Sequence, residues 1–460
     1  MEVKVMHAIA RKVDATQGPL MKNIFIYTLP LIVTTLVQQL FSLVDTAVLG
    51  NMADTNSVAA VGATTAIINL IVNTFIGLSN GTTIVLARYI GQRNREKTHA
   101  TVDTALLTAL GVGILVAVFG FFTAPVFLRM TDCPKSCFTG AVLYIRIYIA
   151  SAPAILLYNY GAAILRTAGD TQRPLVYMLI GGITNVVLNV FLCLVLSQKV
   201  AAVAIATGAS QVIGAVLVFR RLCHTDDDTR VTVSALRFHW DAFVQIVRFG
   251  IPRAISRLVV PVANLQIQTA VNSFGEDAIA GNSAATLIWH LVTAVSDSFG
   301  TATMTFMGQN IGVENKGRVR KSFWYCWAMG ALISGLFGLG LLATGKLWLA
   351  LVLGGDATEA IAFGMTKLTL LLLFQCLLGS IHVLLSAVQS YGYPFLATLS
   401  TLVFTLVFRV IWMQWVFPLK PTFFTVMLCF PVSWFFNFLF FVTIVFILSR
   451  RYQRGFYRKI

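Results

Sequence analysis

The chain has 460 residues, of which 57% are hydrophobic and 11% charged, and its formal net charge is +16 at pH 7. Soluble domains carry about 25% charged residues, so the composition excludes an ordinary soluble protein and indicates one that crosses a membrane many times. The basic residues lie in short connections between apolar segments, which reflects membrane topology and argues against nucleic-acid binding.

Twelve apolar segments are long enough to cross the roughly 30 Å hydrocarbon layer as helices. We therefore predict an all-α membrane protein with twelve transmembrane helices, at residues 24–50, 58–84, 101–122, 140–163, 174–196, 200–221, 243–272, 280–306, 323–343, 361–388, 394–417 and 424–448. Basic side chains concentrate in both tails and in the even-numbered connections. The positive-inside rule then places both termini in the cytoplasm of a multi-pass protein of the inner or plasma membrane.

The two halves of the chain resemble each other. Leu29-Pro30 matches Ile251-Pro252, and R-Y-I-G-Q-R-N at 88–94 matches Q-N-I-G-V-E-N at 309–315. Six-helix repeats are a transporter architecture with the binding site at their interface. We predict two six-helix lobes related by an internal repeat. The boundaries are a cytoplasmic tail at 1–22, an N-lobe at 23–222, a cytoplasmic linker at 223–241, a C-lobe at 242–449 and a basic tail at 450–460.

The first span carries one carboxylate, Asp45, at membrane depth. Such a group costs ~2.5 to 3.5 kcal/mol even on the most lenient insertion scale, so it is retained where it faces the bundle interior or water. Asp45 is therefore our first candidate for binding a proton or a small cation. The alternative is that the side chain of Asp45 lies near the helix end and reaches the water at the outer membrane interface. Pro30 lacks a backbone N–H and is the candidate hinge of this helix.

Polar side chains recur inside the other spans of the first half. Asn185 and Asn189 share one face of the fifth span, and Thr207 lies in the sixth. Further candidate cavity residues are Gln38, Asn69, Asn73 and Asn159. Amide oxygens around a carboxylate can hold a proton or Na⁺. The alternative for each amide is a purely structural bond between helices.

The second half offers three candidate polar residues inside its spans: Asp297, His382 and Arg409. Arg409 lies too deep to reach the surface, so we expect an intramembrane partner, for which Asp297 is a candidate counter-charge. His382 is either a proton relay near neutral pH or a hydrogen-bonded packing residue. The chain contains no phosphate loop, catalytic motif or metal-ligand spacing, so we expect neither an enzyme nor a metal or other cofactor.

Several short motifs occur in order along the chain: the L-P opening of the first half, V-D-T-A-V-L-G-N at 44–51, A-A-V-G at 59–62, L-R-T-A-G-D-T-Q-R-P at 165–174, N-V-V-L-N at 185–189 and M-G-Q-N-I-G at 307–312. Together they resemble the multidrug and toxic compound extrusion (MATE) family of the bacterial type, over nearly all of residues 29–448. The resemblance implies a secondary antiporter that exports amphipathic, often cationic compounds, such as drugs and toxins, in exchange for H⁺ or Na⁺. It assigns ion coupling to Asp45 with Asn185, Asn189 and Thr207, and the hinge to Pro30.

The chain also departs from the pattern of some relatives. Where they carry a second carboxylate in the fifth span, this chain has Asn189, and the acids that others use in the seventh and tenth spans are absent. A lone carboxylate among neutral amides is a weak Na⁺ cage, so we expect H⁺ as the coupling ion. A lipid-linked saccharide flippase of the same superfamily and a membrane-embedded enzyme remain alternatives. The expected partners are small organic substrates, the coupling ion and the lipid bilayer, and we expect a monomer.

Overall fold

The computed structural model describes residues 12–52, 55–131 and 133–455. Within its helices, the side chains of residues 42–47, 49, 51, 52, 55 and 66 lie outside the description, and the predicted tails at 1–22 and 450–460 fall partly outside it. The described ranges contain helices of several kinds and no strand. The predicted all-α fold is therefore confirmed.

The helical segments follow the twelve predicted spans in order, and the fourth and tenth spans each consist of two helices. The segments are Leu20–Met52, Thr55–Gly91, Arg95–Met130, Lys135–Ala150 with Ala152–Thr167, Gln172–Val195, Lys199–Cys223, Trp240–Asn272, Glu276–Gly312, Lys316–Ala343, Thr358–Leu373 with Gln375–Ser390, Pro394–Leu419, and Phe423–Gln453. A short helix, Gly345–Leu353, precedes the tenth span.

Length and composition support this assignment of spans. In the described ranges, nine helices are individually long and apolar enough to cross a membrane, and the two bent pairs raise the number to eleven. The seventh span, Trp240–Asn272, carries Arg248, Arg253 and Arg257, and its 33 residues extend over about 50 Å as an α-helix. It is the twelfth segment, and its length exceeds the hydrocarbon thickness.

Large apolar side chains cover outward-facing surfaces of the helices. Leu115, Phe119 and Phe122 on the third span are each at least 70% exposed. Soluble monomers rarely present contiguous apolar patches of this kind. These surfaces are suited to contact with lipid chains.

The internal repeat is visible in the way the fourth and tenth spans are broken. The fourth span bends by 46° at Ser151, and the tenth bends by 51° at Phe374. These two spans are counterparts in the repeat, since each is the fourth helix of its half. A sharp bend in a helix needs a local cause, and in the fourth span Pro153 stands at the start of the second helix.

The turns after the second and eighth spans are a second trace of the repeat. Arg93 and Glu314 both have a positive φ, 53° and 55°, which is uncommon for residues other than glycine. Each is followed by an asparagine, Asn94 or Asn315, which caps the next helix. Their side-chain oxygens accept from the backbone N–H three residues on, at 3.0 and 2.9 Å. The matched motifs found in the sequence therefore adopt the same local structure.

The described chain divides into two compact units. Unit 1 contains residues 12–14 and 29–254, and unit 2 contains residues 15–28 and 255–455. The divisions fall inside the first and seventh spans, next to Pro30 and close to Pro252. Within unit 1 the linker packs with the six spans of the first half. The predicted lobe boundaries at 23–222 and 242–449 stay a prediction.

Glycines bring the second and seventh spans into backbone contact inside unit 1. A Cβ atom at Gly81 would lie 2.4 Å from the carbonyl oxygen of Ile246 and 2.6 Å from the nitrogen of Gly250. One turn earlier, a Cβ at Gly77 would lie 2.4 Å from the Cα of Ala254. Small residues four apart permit this close approach, which supplies packing energy where lipid removes the hydrophobic drive between helices.

The linker is held to the start of the described chain by an ion pair. Lys12 Nζ contacts the carboxylate of Asp227 and donates to the hydroxyl of Thr225 at 3.3 Å. The hydroxyl of Thr229 also donates to Asp227, at 2.5 Å. Burial raises the pKa of Asp227, but the hydrogen bonds from Lys12 and Thr229 outweigh it and hold this pKa below the ordinary value of 3.8.

Candidate functional site

A chain of hydrogen bonds connects three of the predicted site residues in unit 1. Asn189 Nδ2 donates to Asn185 Oδ1 at 3.2 Å, and Asn185 Nδ2 donates to Thr207 Oγ1 at 3.3 Å. The hydroxyl of Thr207 donates in turn to the carbonyl of Val203, at 2.9 Å. Asn189 is fully buried and Asn185 is 5% exposed. The fifth and sixth spans are thus joined by a directed chain of polar side chains.

The position of this chain follows from the local sequence. Asn185 and Asn189 are four residues apart, so both project from one face of the fifth span. That face meets the sixth span, in which small buried residues, including Ala204, Ala206 and Gly208, surround Thr207 in sequence. Buried amides need partners, and here each amide meets part of its hydrogen-bonding capacity with the next one.

The first span reaches the same region of unit 1. A Cβ atom at Gly182 would lie 1.9 Å from Cε2 of Phe41, so the ring of Phe41 packs directly onto the backbone of the fifth span. Gly182 lies three residues before Asn185. Asp45 follows Phe41 by four residues, which is about one helical turn. The side chain of Asp45 lies outside those that the structure describes, so its role as coupling acid stays a prediction.

The other candidates of the first half are not joined to this chain by the hydrogen bonds they make. Asn73 Nδ2 donates to the carbonyl of Asn69, and Asn159 Nδ2 donates to the carbonyl of Ile155, both at 2.8 Å and both within one helix. Asn69 and Gln38 are exposed. Their membership of a cavity stays a prediction.

Pro30 lies inside the continuous helix Leu20–Met52 and is buried. Its carbonyl accepts a hydrogen bond from the hydroxyl of Thr34 at 2.7 Å. Proline removes one backbone hydrogen bond from a helix, and a hydroxyl that bonds the i−4 carbonyl favours local bending. These features suit a hinge, which stays a prediction.

In unit 2, Asp297 is the centre of a cluster of three ionisable side chains. Its Oδ1 lies 2.8 Å from His382 Nδ1, and its Oδ2 accepts from Arg257 Nη2 at 3.4 Å. The three side chains come from the seventh, eighth and tenth spans and are each between 21% and 33% exposed. The structure therefore brings two predicted residues together, and adds Arg257 to them.

Arg409 has a different environment from the one its sequence suggests. Its Nη1 donates to Asn264 Oδ1 at 2.6 Å, and its guanidinium carbon lies 4.3 Å from the ring centroid of Phe430. The assignment of Asp297 as its counter-charge is wrong, because Asp297 pairs instead with Arg257. The expected intramembrane partner exists, but it is an amide and an aromatic face, which together stabilise a buried cation.

Sequence reasoning missed a buried lysine in the same unit. Lys367, in the tenth span, is 4% exposed and donates to the side chains of Asn282 and Thr286 on the eighth span. The side-chain amide of Asn282 donates in turn to Gln268 on the seventh span, and the side-chain amide of Gln268 donates to Asn272. The sequence signal for this residue is a single lysine inside the apolar run at 361–374. Intramembrane cations are candidate functional residues by default.

A comparison with known proteins identifies the family of this chain. A family model described as MatE matches residues 30–191 and 252–413, one match in each half. The chain belongs to the MatE family. The MATE resemblance read from the sequence is thereby confirmed, and the two matched ranges repeat at the spacing of the two halves.

Individual relatives align with this chain over most of their length. The chain is 25% identical over 395 residues to the "Probable multidrug resistance protein YpnP" of Bacillus subtilis, covering 86% of this chain and 87% of the relative. It is 23% identical over 330 residues to the "Probable multidrug resistance protein NorM" of Thermotoga maritima, covering 69% of each. These names do not favour the flippase alternative.

A solved structure shows the same fold. The crystal structure of a MATE protein in complex with MaL6 superposes with a TM-score of 0.87 at 22% identity, covering 96% of this chain and 99% of that one. The family match, the relatives and the apolar helices together show a multi-pass membrane protein of a transporter family. Within the described ranges, no group of three or more His, Cys, Asp or Glu side chains could hold a metal ion.

Proposed function

We propose that this MATE protein is a secondary active exporter that moves amphipathic, often cationic organic compounds outward in exchange for H⁺, with Na⁺ as the alternative coupling ion. Asp45 is the coupling carboxylate, and Asn185, Asn189 and Thr207 support it. The relatives named as multidrug resistance proteins support the substrate class. The observation that carries the site is the hydrogen-bonded chain from buried Asn189 and Asn185 to half-buried Thr207, in the unit that also contains Asp45.

The proposed coupling rests on competition for one carboxylate. Ionised Asp45 attracts a cationic substrate, and the attraction is strong because the surroundings have a low dielectric constant. Protonation from the outside neutralises the carboxylate and removes the attraction, so the substrate leaves. The proton is released on the inner side after the conformational change, which resets the site.

The amide chain supports this cycle because it is electrically neutral. The amides of Asn185 and Asn189 can donate to an ionised carboxylate or accept from a protonated one. Neither amide supplies a competing charge, so a single proton changes the net charge of the site. A second carboxylate, which would favour Na⁺ by adding a charged ligand, is absent from the described side chains of the fifth and sixth spans.

Purified protein in liposomes tests the proposal. On addition of a fluorescent organic cation, wild type should move protons in exchange, and Asp45→Asn should abolish proton flux because asparagine cannot bind a proton. Asp277→Asn, which alters an exposed acid at the start of the eighth span, is the control and should transport normally. Sodium-driven exchange, or full proton flux in Asp45→Asn, would contradict the proposed mechanism.

A further inference from the structure

The buried ammonium group of Lys367 in unit 2 is surrounded by oxygen atoms. Its Nζ lies 2.7 Å from Asn282 Oδ1 and 3.2 Å from the backbone carbonyl oxygen of Asn282, and it also contacts the hydroxyl of Thr286. Three donors of one ammonium group therefore meet three oxygens, all on the eighth span. In the described chain no carboxylate forms an ion pair with this lysine.

The other hydrogen bonds of Asn282 and Thr286 show that these groups act as acceptors toward Lys367. The hydroxyl hydrogen of Thr286 is donated to the carbonyl of Asn282 at 2.7 Å, so the hydroxyl oxygen turns a lone pair toward Nζ. The amide nitrogen of Asn282 donates to Gln268 Oε1 at 3.0 Å, which turns its oxygen toward Nζ. A backbone carbonyl can only accept. All three groups are thus acceptors at this position.

Three converging acceptors select a cation. A protonated lysine has three N–H donors and satisfies all of them, whereas a neutral amine has two and would direct its lone pair at an acceptor oxygen. The charge of Arg409 acts on Lys367, and because it is also positive it cannot compensate the ammonium group. The oxygens of Asn282 and Thr286 therefore carry the stabilisation of the ammonium group, as buried ions require.

We propose that Asn282 and Thr286 form a monovalent-cation site in unit 2, with the ammonium group of Lys367 as its resident ion. When the lysine side chain is removed, the site takes a small ammonium-type cation from solution. Na⁺ binds more weakly, because three neutral oxygens are fewer than a hard metal ion requires. This inference goes beyond the proposed export activity and does not depend on which ion drives transport.

Chemical rescue of Lys367→Ala tests the site. This substitution removes three methylene groups and the ammonium group, which together have the composition of propylammonium. The melting temperature of the purified variant should fall by about 3 to 6 °C, and propylammonium chloride should restore it in a saturable way, because a ligand of the folded state stabilises by mass action. Wild type and the exposed-site control Lys346→Ala should not respond.

A control salt at matched ionic strength separates binding at the site from a general effect of salt. Tetramethylammonium chloride has no N–H donor and should not restore the melting temperature. Equal rescue by this salt would show a general salt effect and overturn the proposal. An unchanged melting temperature in Lys367→Ala, or a lowered one that no propylammonium concentration restores, would also overturn it.

A pair of threonine variants provides a second test if Lys367→Ala does not fold. Thr286 and Thr293 lie on the same helix, and each hydroxyl donates to the carbonyl four residues earlier at 2.7 Å. Only Thr286 also accepts from Lys367. Thr286→Val should therefore lower the melting temperature by about 2 to 4 °C more than Thr293→Val. Equal losses would contradict a cation site.

Discussion

Replacing Asn185 by leucine removes an amide that takes part in two hydrogen bonds at the centre of the proposed coupling site. Leucine has a similar volume, so the packing around the fifth span is largely kept. The oxygen that accepts from Asn189 is lost, and so is the N–H group that donates to Thr207. The hydroxyl of Thr207 still donates to the carbonyl of Val203. Two hydrogen bonds of the chain are therefore lost together.

Each lost hydrogen bond costs about 0.5 to 1.5 kcal/mol. Asn185→Leu should thus lose about 1 to 3 kcal/mol of stability, which corresponds to a melting temperature lower by roughly 2 to 6 °C. Proton flux should also fall, because the chain beside the first span is broken.

Thermal unfolding of detergent-purified protein measures the loss, with Asn73→Leu as the matched control. Asn73 also lies in a span, but its amide donates only within its own helix, to a carbonyl that the helix already satisfies. The control should change stability by no more than about 0.5 kcal/mol. Equal losses in the two variants would refute the argument that the chain from Asn189 to Thr207 stabilises unit 1.

Three further substitutions test other parts of the structure. Gly81→Val should cost about 1 to 3 kcal/mol in thermal unfolding, because its Cβ would start 2.4 Å from a backbone oxygen, whereas Gly111→Val, with open space around it, should not. The pKa of Asp227 is lowered in the folded protein, so the ionised carboxylate stabilises the fold above the ordinary pKa of 3.8, and this stabilisation is lost as pH falls through the folded-state value. Asp227→Asn should therefore be less stable than wild type at neutral pH. The melting temperature of the variant should also change less on acidification than that of wild type. Arg409→Lys should lower the melting temperature measurably, since lysine cannot reproduce the planar contact with the aromatic ring beneath it, and an unchanged value would contradict that role.

The order of the apolar spans could be predicted because apolar length is a direct requirement of the bilayer, whereas the breaks inside the fourth and tenth spans could not. The ends of the helices could not. The sequence predicts that the second span ends at residue 84, but the helix continues to Gly91; it predicts that the third begins at residue 101, but the helix begins at Arg95. Hydropathy reports only the part of a helix inside hydrocarbon. The polar turns beyond it are fixed by capping, here by the side chain of Asn94.

Within the candidate site, local spacing was informative and long-range pairing was not. The pairing of Asn185 with Asn189 follows from a separation of four residues on a helix. The partner of Arg409 is 145 residues away in the chain, and the sequence contains nothing that ranks Asn264 above Asp297. That choice is made by the packing of the seventh and eleventh spans. Lys367 could have been found by asking which ionisable residues lie inside apolar segments.

The two capped turns of the repeat, at Arg93 and Glu314, show that the halves have kept a backbone conformation while their side chains diverged. One position is basic and the other acidic, yet both hold a left-handed φ that glycine would adopt at lower cost. These two turns therefore accept either a basic or an acidic side chain at this φ. An engineer who wants to vary one half can begin by exchanging the residues at these two turns.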